Sequence, residues 1–394
     1  MKTPAEAGPR SAGPVASKPG PLIAIIIGQV CLHACMAGVR VAAPLQALDE
    51  GHSAWAVGVL MALFAAAPIG FALPAGRLTD RHGYHRPLYL AVALCVAGAL
   101  AATLSQSYLA LCLAAVLCGT GANVGMISIQ RTAGRLASNA TERMRVFSWL
   151  GLAPALANVI GSISAGVLID HGGFRVAFAV LMLMPLAALA WSRRVPKEAP
   201  RVTAAEPGIR HTAWELLRLP QLRRLLLVNW LLSASWDVHS FVLPVLGHER
   251  DMSASAIGTI LGLFAFAVAA VRLILPLLAH RLRENQVLVA AMLSTAAVFG
   301  VYPLVHAPWL MAVCAVLLGL ALGSVQPMIM STLHHLTPRE HHGEAIALRS
   351  MTINLASTVM PLLFGVAGAA LGAGALFWVM GAAVGTGSWQ ARRL

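Results

Sequence analysis

Long apolar runs constrain the fold of this chain more than any other feature. A helix that spans a membrane needs about 20 mostly apolar residues, because the hydrocarbon core is about 30 Å thick and offers no water to backbone groups. We place twelve such runs at about 21–47, 54–76, 87–105, 108–130, 146–169, 174–192, 224–246, 256–279, 287–305, 308–332, 344–371 and 373–391. The sequence therefore predicts an all-α membrane protein with twelve transmembrane helices.

Composition and charge favour the same interpretation. Of the 394 residues, 58% are hydrophobic and 11% are charged, whereas about 25% are charged in an ordinary soluble domain. The net charge of +13 comes from residues spread between alternate apolar runs, not from one basic patch that would suggest nucleic-acid binding. Loops rich in Arg and Lys stay in the cytoplasm, so we expect both termini and the central loop there. Abundant Arg and Ala beside little Lys favour a bacterial inner membrane.

The two halves of the chain repeat each other at an offset close to 200 residues. The matching residues are Pro44 and Pro244, Gly58 and Gly258, Phe64 and Phe264, Arg81 and Arg281, and Gly119 and Gly319. A constant offset over several helices indicates a duplication. We predict a disordered cytoplasmic tail at 1–20, a six-helix bundle at 21–192, a cytoplasmic linker at 193–222 and a second, pseudo-symmetric six-helix bundle at 223–394. Such halves enclose a binding site near the membrane midplane in known transporters.

A charged segment, GRLTDRHGYHRPL at 76–88, separates the second and third apolar runs. Its candidate functional residues are Gly76, Leu78, Asp80, Arg81, Gly83 and Arg86. Glycines let a backbone turn sharply or approach another closely, and an acid can stabilise the positive N-terminal end of a helix. Asp80 is the candidate acid.

The chain resembles the major facilitator superfamily of transporters, and specifically its drug and metabolite efflux branch. The resemblance lies in the twelve-helix, two-half layout and in the segment 76–88, which is similar to the family signature G-x-L-x-D-R-x-G-R-R/K. Tyr84 and His85 depart from its two basic positions, although Arg86 follows. The resemblance implies that this segment forms a gate at the cytoplasmic side, where Asp80 braces the eleventh helix near 343–344 when the transporter faces outward. The alternative is that these charges only set the membrane topology.

Few ionisable side chains lie inside the predicted helices. A charge at the bilayer centre costs about 2.5–3.5 kcal/mol, so such residues face a bundle interior or a cavity. Asp237 is the single acid well inside a predicted helix, and we predict that it couples transport to protons. His33 and Arg40 share one face of the first helix, and Ser233 shares a face with Asp237 in the seventh, its repeat equivalent. We therefore expect Arg40 to confront Asp237 or to share a ligand with it.

Other polar side chains have two interpretations each. Asn123 and Gln326 occupy nearly equivalent places in the fourth and tenth helices. The resemblance implies that helices one, four, seven and ten line the cavity, where these amides would bind a ligand or else link helices. His239 is a packing side chain or a proton relay, and Arg272 snorkels to the membrane surface or faces the cavity. The candidate substrate residues are His33, Arg40, Asn123, Ser233 and Gln326.

These features predict a secondary transporter that moves a small organic molecule by alternating access, as proton-coupled efflux. The signatures of drug-exporting antiporters are poorly matched, since GSISAG stands at 161–166 where G-P-x-x-G-G is expected. The main alternative is proton-linked uptake of an anionic or zwitterionic metabolite, and a further one is a non-transporting sensor or lipid flippase. We expect a monomer in a lipid bilayer, without cofactor or metal. An enzyme is not expected, because the sequence lacks a nucleophile–base pair and an ATP-binding motif.

Overall fold

The protein is helical throughout the part of the chain that the structure, a computed structural model, describes. That part comprises residues 19–136, 140–197, 217–278, 283–337 and 342–394, and it contains no strand. Its twelve α-helices are α1 (Pro19–Asp49), α2 (Ala54–His82), α3 (His85–Leu104), α4 (Tyr108–Leu136), α5 (140–172), α6 (174–192), α7 (Pro220–Glu249), α8 (Ala254–Leu278), α9 (Glu284–Val301), α10 (Pro308–Leu336), α11 (His342–Leu371) and α12 (Ala373–Arg392). The predicted all-α fold class is confirmed.

Ten helical segments of the described chain are long and apolar enough to span a membrane. One of them, Trp149–Ser192, covers α5 and α6 together, and α12 is not among them. The α12 helix nevertheless packs along α7 and α9, so its place in the fold comes from neighbours and not from hydropathy. Large apolar side chains such as Leu104, Leu109 and Trp309 are mostly exposed on the outer surface, as expected where lipid is the solvent. The chain is a multi-pass membrane protein.

Packing is densest within α1–α6 and within α7–α12, which we name the N-terminal and C-terminal bundles. The sequence repeat has a counterpart in their contacts. Gly119 on α4 lies against the backbone carbonyl of Phe64 on α2, and Gly319 on α10 lies against that of Phe264 on α8. In each case a Cβ atom would come within 2.5 Å of the carbonyl oxygen. The glycines therefore permit the same close helix crossing in both bundles.

Two glycines with positive φ decide where the chain turns. The α2 helix continues to His82, so most of the charged segment is helical and the turn is confined to Gly83 and Tyr84. Gly83 has a φ of +68°, a conformation that glycine adopts without steric cost. Gly173, with a φ of +77°, separates α5 from α6 in what would otherwise be one helix. The α2 helix therefore continues beyond the predicted span 54–76, and its apolar part is Ala54–Phe71.

Successive helices run in opposite directions, so their connections alternate between two ends of the molecule. We name the end with Gly173 and the connections at 50–53 and 250–253 the Gly173 end. The opposite end, with Gly83 and the segment 193–219, is the linker end. Of the predicted linker, residues 198–216 lie outside the described part of the chain.

Candidate functional site

An ion pair at the centre of the molecule joins the two bundles. Nη2 of Arg40, on α1, lies 3.6 Å from Oδ1 of Asp237, on α7. This distance is within ion-pairing range but beyond an ordinary hydrogen bond. Ser357, on α11, donates a hydrogen bond of 3.0 Å to the other carboxylate oxygen. The structure therefore brings together the two charged residues that the sequence predicted to confront each other.

Burial of this pair is unequal. The side chain of Asp237 is 4% exposed, whereas that of Arg40 is 27% exposed. A buried carboxylate needs both an opposite charge and hydrogen-bond donors, because it has lost the water that would otherwise stabilise it. Arg40 supplies the charge and Ser357 supplies the donor. Loss of either partner would leave the carboxylate only partly satisfied.

A cavity of about 270 Å³ lies beside the ion pair. Helices α1, α7, α8, α10 and α11 form its wall. Arg272 and Arg349, which line it, belong to the parts of α8 and α11 nearest the linker end. The cavity therefore extends from Asp237 toward that end. A smaller space of about 40 Å³ adjoins Arg40 between the two bundles.

The cavity wall carries three arginines and one acid: Arg40, Arg272, Arg349 and Asp237. Nη2 of Arg272 donates a hydrogen bond of 3.1 Å to Oε1 of Gln326. Arg272 thus faces the cavity and does not snorkel to the surface. Arg349 lines the same cavity as Arg272. The Nε atoms of all three arginines are buried without a hydrogen-bond partner.

Two of the predicted substrate residues, Ser233 and Gln326, line the cavity with Arg40, whereas His33 and Asn123 line neither of the two spaces. His33 lies on the same face of α1 as Arg40 but seven residues away, which is about 10 Å along the helix axis at ~1.5 Å per residue. There its side chain is buried, with 9% exposed. Sharing a helix face with Arg40 was therefore not sufficient to place His33 at the cavity.

His239 packs inside the C-terminal bundle. Its ring lies against Phe264, with ring centroids 4.6 Å apart, and its Nε2 forms a hydrogen bond of 3.3 Å with the Tyr302 hydroxyl. It lines neither space. Of the two interpretations drawn from the sequence, the geometry supports the packing side chain.

Sequence reasoning missed two cavity residues on α11, Arg349 and Ser357. They are eight residues apart, with Ile353 between them, so all three lie on one helix face. This spacing was a usable signal. Helical spacing alone does not show which face of α11 turns toward the cavity.

The two bundles contact each other closely at the Gly173 end. Oδ1 of Asp170, at the end of α5, accepts a hydrogen bond of 2.9 Å from the Ala254 N–H, and Oδ2 accepts one of 2.8 Å from the Ser255 N–H. These N–H groups begin α8, where a helix has unsatisfied donors and partial positive charge. Asp170 of the N-terminal bundle thus caps a helix of the C-terminal bundle.

Glycines let the helices approach at the same end. Gly58 on α2 lies against the Pro361 carbonyl on α11, and Gly258 on α8 lies against the Ser162 carbonyl on α5. A Cβ atom at either glycine would clash with the opposing backbone. Both crossings join one bundle to the other, so the Gly173 end is closed in this structure.

Comparison with known families agrees with this architecture. The sequence model of the Major Facilitator Superfamily matches residues 25–228 and 225–391, which together cover nearly the whole chain. The chain belongs to the major facilitator superfamily. None of the curated protein sequences matches this superfamily member.

Solved structures of similar fold are membrane transporters. A POT family transporter in complex with 5-aminolevulinic acid aligns with a TM-score of 0.76 at 14% identity, over 93% of this chain and 94% of its own. The human organic anion transporter MFSD10 aligns with a TM-score of 0.67 at 17% identity, over 95% and 99%. A bacterial homologue of the human lysosomal transporter Spinster, inward-facing and occupied, aligns with a TM-score of 0.72 at 14% identity, over 94% and 91%. These structures show the fold that the chain shares. Its membership of the Major Facilitator Superfamily makes it a membrane transporter and not an enzyme.

The signature segment of this superfamily member is only partly described. Arg81 and Arg86 are exposed, Leu78 is half-buried and Gly83 is buried at the turn. Asp80 and Gly76 belong to α2, but their side-chain surroundings lie outside the described part of the structure, as do those of 343–344. The contact predicted between Asp80 and α11 stays a prediction.

Proposed function

We propose that this transporter moves a small organic molecule in a proton-coupled cycle, with Asp237 as the proton site. The ion pair between Arg40 and Asp237, beside the cavity, is the observation that carries the proposal. An ionised Asp237 attracts Arg40, whereas a protonated Asp237 does not. Because the two residues belong to different bundles, proton binding changes the force that holds the bundles together.

The proposed cycle alternates closure between the two ends. In the described state the Gly173 end is closed by Asp170 and by the glycine crossings. If the linker end is cytoplasmic, as the distribution of basic residues predicts, cargo enters the cavity from the cytoplasm. In the opposite state Asp80 would brace α11 at the linker end. For direction we propose efflux coupled to inward proton flow.

A second candidate is proton-linked uptake of an anionic metabolite. The observation that favours it is the wall of the cavity, where three arginines stand beside one acid. One structural relative of this chain bears the name organic anion transporter. In this cycle the proton and the anion would enter together, since protonation of Asp237 leaves Arg40 available to the cargo.

Both candidates are tested with the purified transporter in liposomes under an imposed pH gradient. Uptake of a solute into vesicles with an acidic interior indicates antiport, and accumulation driven by an acidic exterior indicates symport. Cationic, neutral and anionic solutes are compared under each gradient. Absence of transport in every combination would contradict both candidates and favour a non-transporting sensor or a lipid flippase.

The variant Asp237→Asn tests the proton site. We expect it to lose transport driven by the pH gradient, because an amide binds no proton in this range, while solute exchange without a gradient persists. The matched control is Asp49→Asn, which removes an exposed acid at the Gly173 end. Unchanged pH coupling in Asp237→Asn would show that another group carries the proton.

A further inference from the structure

The charges of the cavity wall fall into two groups. Arg40 and Asp237 offset each other across the bundles. Arg272 on α8 and Arg349 on α11 belong to the C-terminal bundle alone, and the side chain bonded to Arg272 is the neutral Gln326. Among the described residues that line the cavity there is no second acid to offset them. The wall therefore carries an excess of positive charge on one side.

The excess of positive charge raises the free energy of the folded protein unless a negative group occupies the cavity. Cations inside a membrane protein are paired or face water, and neighbouring like charges destabilise each other. Arg272 and Arg349 line the same cavity, and the Nε atom of each is buried without a partner. Guanidinium groups bind carboxylate and phosphate oxygens through two parallel N–H donors. An acidic group bound at these two arginines would offset their charge and accept hydrogen bonds from their guanidinium groups.

The rest of the wall suits an apolar body. Leu232, Trp236, Val325 and Ile353 line the same space as the arginines. The cavity of about 270 Å³ has room for a small metabolite.

We propose that the cavity binds a small organic anion, with its acidic group between Arg272 and Arg349 and its apolar body against Trp236 and its neighbours. This inference rests on the proposed function, in which the cavity is the cargo site, and it names the class of cargo. It holds for either direction of transport. In the uptake cycle Arg40 also becomes available to the cargo, whereas Arg272 and Arg349 hold the anion in either direction.

Thermal unfolding of the purified full-length transporter tests the class of ligand without any transport step. A ligand that binds the folded state raises the melting temperature, and the rise grows with the logarithm of the ligand concentration once this exceeds Kd. The probes are hexanoate, adipate and phenyl phosphate, with hexanamide and hexylamine as neutral and cationic controls, at constant ionic strength. We expect stabilisation by the anions alone, and the comparison of carboxylates with phenyl phosphate identifies the preferred acidic group. Equal stabilisation by hexylamine, or none by any anion at millimolar concentration, would overturn the proposal.

Substitutions locate the site. Arg272→Gln and Arg349→Gln should each weaken anion binding at least ~30-fold, as expected for loss of one partner of a desolvated charge pair. Arg272→Lys keeps the charge but loses the two-pronged donor geometry, so binding should fall less. Arg223→Gln, which removes an exposed arginine of α7, is the matched control and should bind like the wild type. Wild-type affinity in both glutamine variants would overturn the assignment.

Failure of this inference is distinguishable from failure of the proposed function. Asp237→Asn should bind the anion in the unfolding assay even though its pH-driven transport is lost. If the wild-type protein binds the anion but its transport shows no pH coupling, the proposed proton site is contradicted and the proposed anion site is not. The melting temperature of each variant without ligand shows whether it folds. If a glutamine variant does not fold, Arg272→Lys and the wild-type probe series test anion binding instead.

Discussion

Asp237 illustrates how strongly a single side chain depends on its partners inside a membrane protein. Its carboxylate is nearly inaccessible and has two described partners, Arg40 from the other bundle and Ser357 from α11. Arg40 belongs to the other bundle, whereas Ser357 belongs to the same bundle as Asp237. The ion pair therefore crosses between the bundles, and the hydrogen bond lies within one of them.

Ser357→Ala should change the pH dependence of transport. The serine hydroxyl donates to the ionised carboxylate and so favours it over the protonated form. Without this donor, Asp237 should take up its proton at a higher pH. We expect the midpoint of pH-dependent transport to rise by about one to two pH units, because a hydrogen bond to a charged group is worth about 1.5–3 kcal/mol and one unit corresponds to about 1.4 kcal/mol. Transport rates measured across a pH series check this shift.

The control for this prediction is Thr358→Ala. Thr358 is the next residue on α11, and its hydroxyl bonds to the Asn354 carbonyl of its own helix. It should leave the pH midpoint unchanged. A downward shift of the midpoint in Ser357→Ala would show that the hydroxyl does not stabilise the carboxylate.

At the scale of elements, the first turn of α8 is capped by a residue of another helix, and this contact helps to close the Gly173 end. A helix begins with N–H groups that lack partners within the helix. Asp170, from the end of α5, accepts from two of them. This is the physical role that the sequence led us to predict for Asp80 at the other end. The structure shows Asp170 in this role, at a place that no sequence motif marked, and the role of Asp80 stays a prediction.

Asp170→Ala should favour opening of the Gly173 end. Loss of a helix cap costs typically about 1 kcal/mol, which would change the ratio of open to closed molecules by about fivefold. Spin labels at Ser107→Cys and His306→Cys, two exposed positions of that end in different bundles, report the opening as longer distances. Asp49→Ala removes an exposed acid at the same end and should leave the distances unchanged. Equal distance distributions in Asp170→Ala and the wild type would exclude the cap as a lock.

At the scale of the whole molecule, alternating access requires that closures at the two ends exclude each other. Asp170 lies at the Gly173 end and Asp80 at the linker end. Each belongs to the N-terminal bundle, and each acts, or is predicted to act, on a helix of the C-terminal bundle. The two acids are therefore expected to stabilise opposite states of one transporter.

Asp80→Asn should shift the molecule in the opposite direction to Asp170→Ala. With the same pair of spin labels, we expect shorter distances at the Gly173 end. The variant lacks the acid that stabilises the state closed at the linker end, so more molecules are closed at the Gly173 end. Membrane insertion should be normal, and transport should be slow. Wild-type transport by a well-expressed Asp80→Asn protein would contradict the predicted latch.

The number and order of helices could be read from the sequence because a membrane leaves few ways to satisfy a backbone, and only long apolar helices do so here. The confrontation of Arg40 with Asp237 followed from helical spacing and the repeat, since both are local properties of the chain. The sequence did not place Arg349 and Ser357 at the cavity or His33 away from it. These positions depend on the depth and rotation of helices that are far apart in the chain.

In the charged segment at 76–88, too, some features follow from the sequence and others from tertiary packing. The sequence by itself determined that the chain turns there, because Gly83 can adopt the positive φ that the turn requires. Only the tertiary structure decided that α2 continues to His82 and that Asp170 caps α8 across the bundles. A turn is a property of a few neighbouring residues, whereas a cap between bundles exists only when two helices from different halves meet. The sequence therefore determined the elements of this transporter, and packing between them decided which side chains form its site.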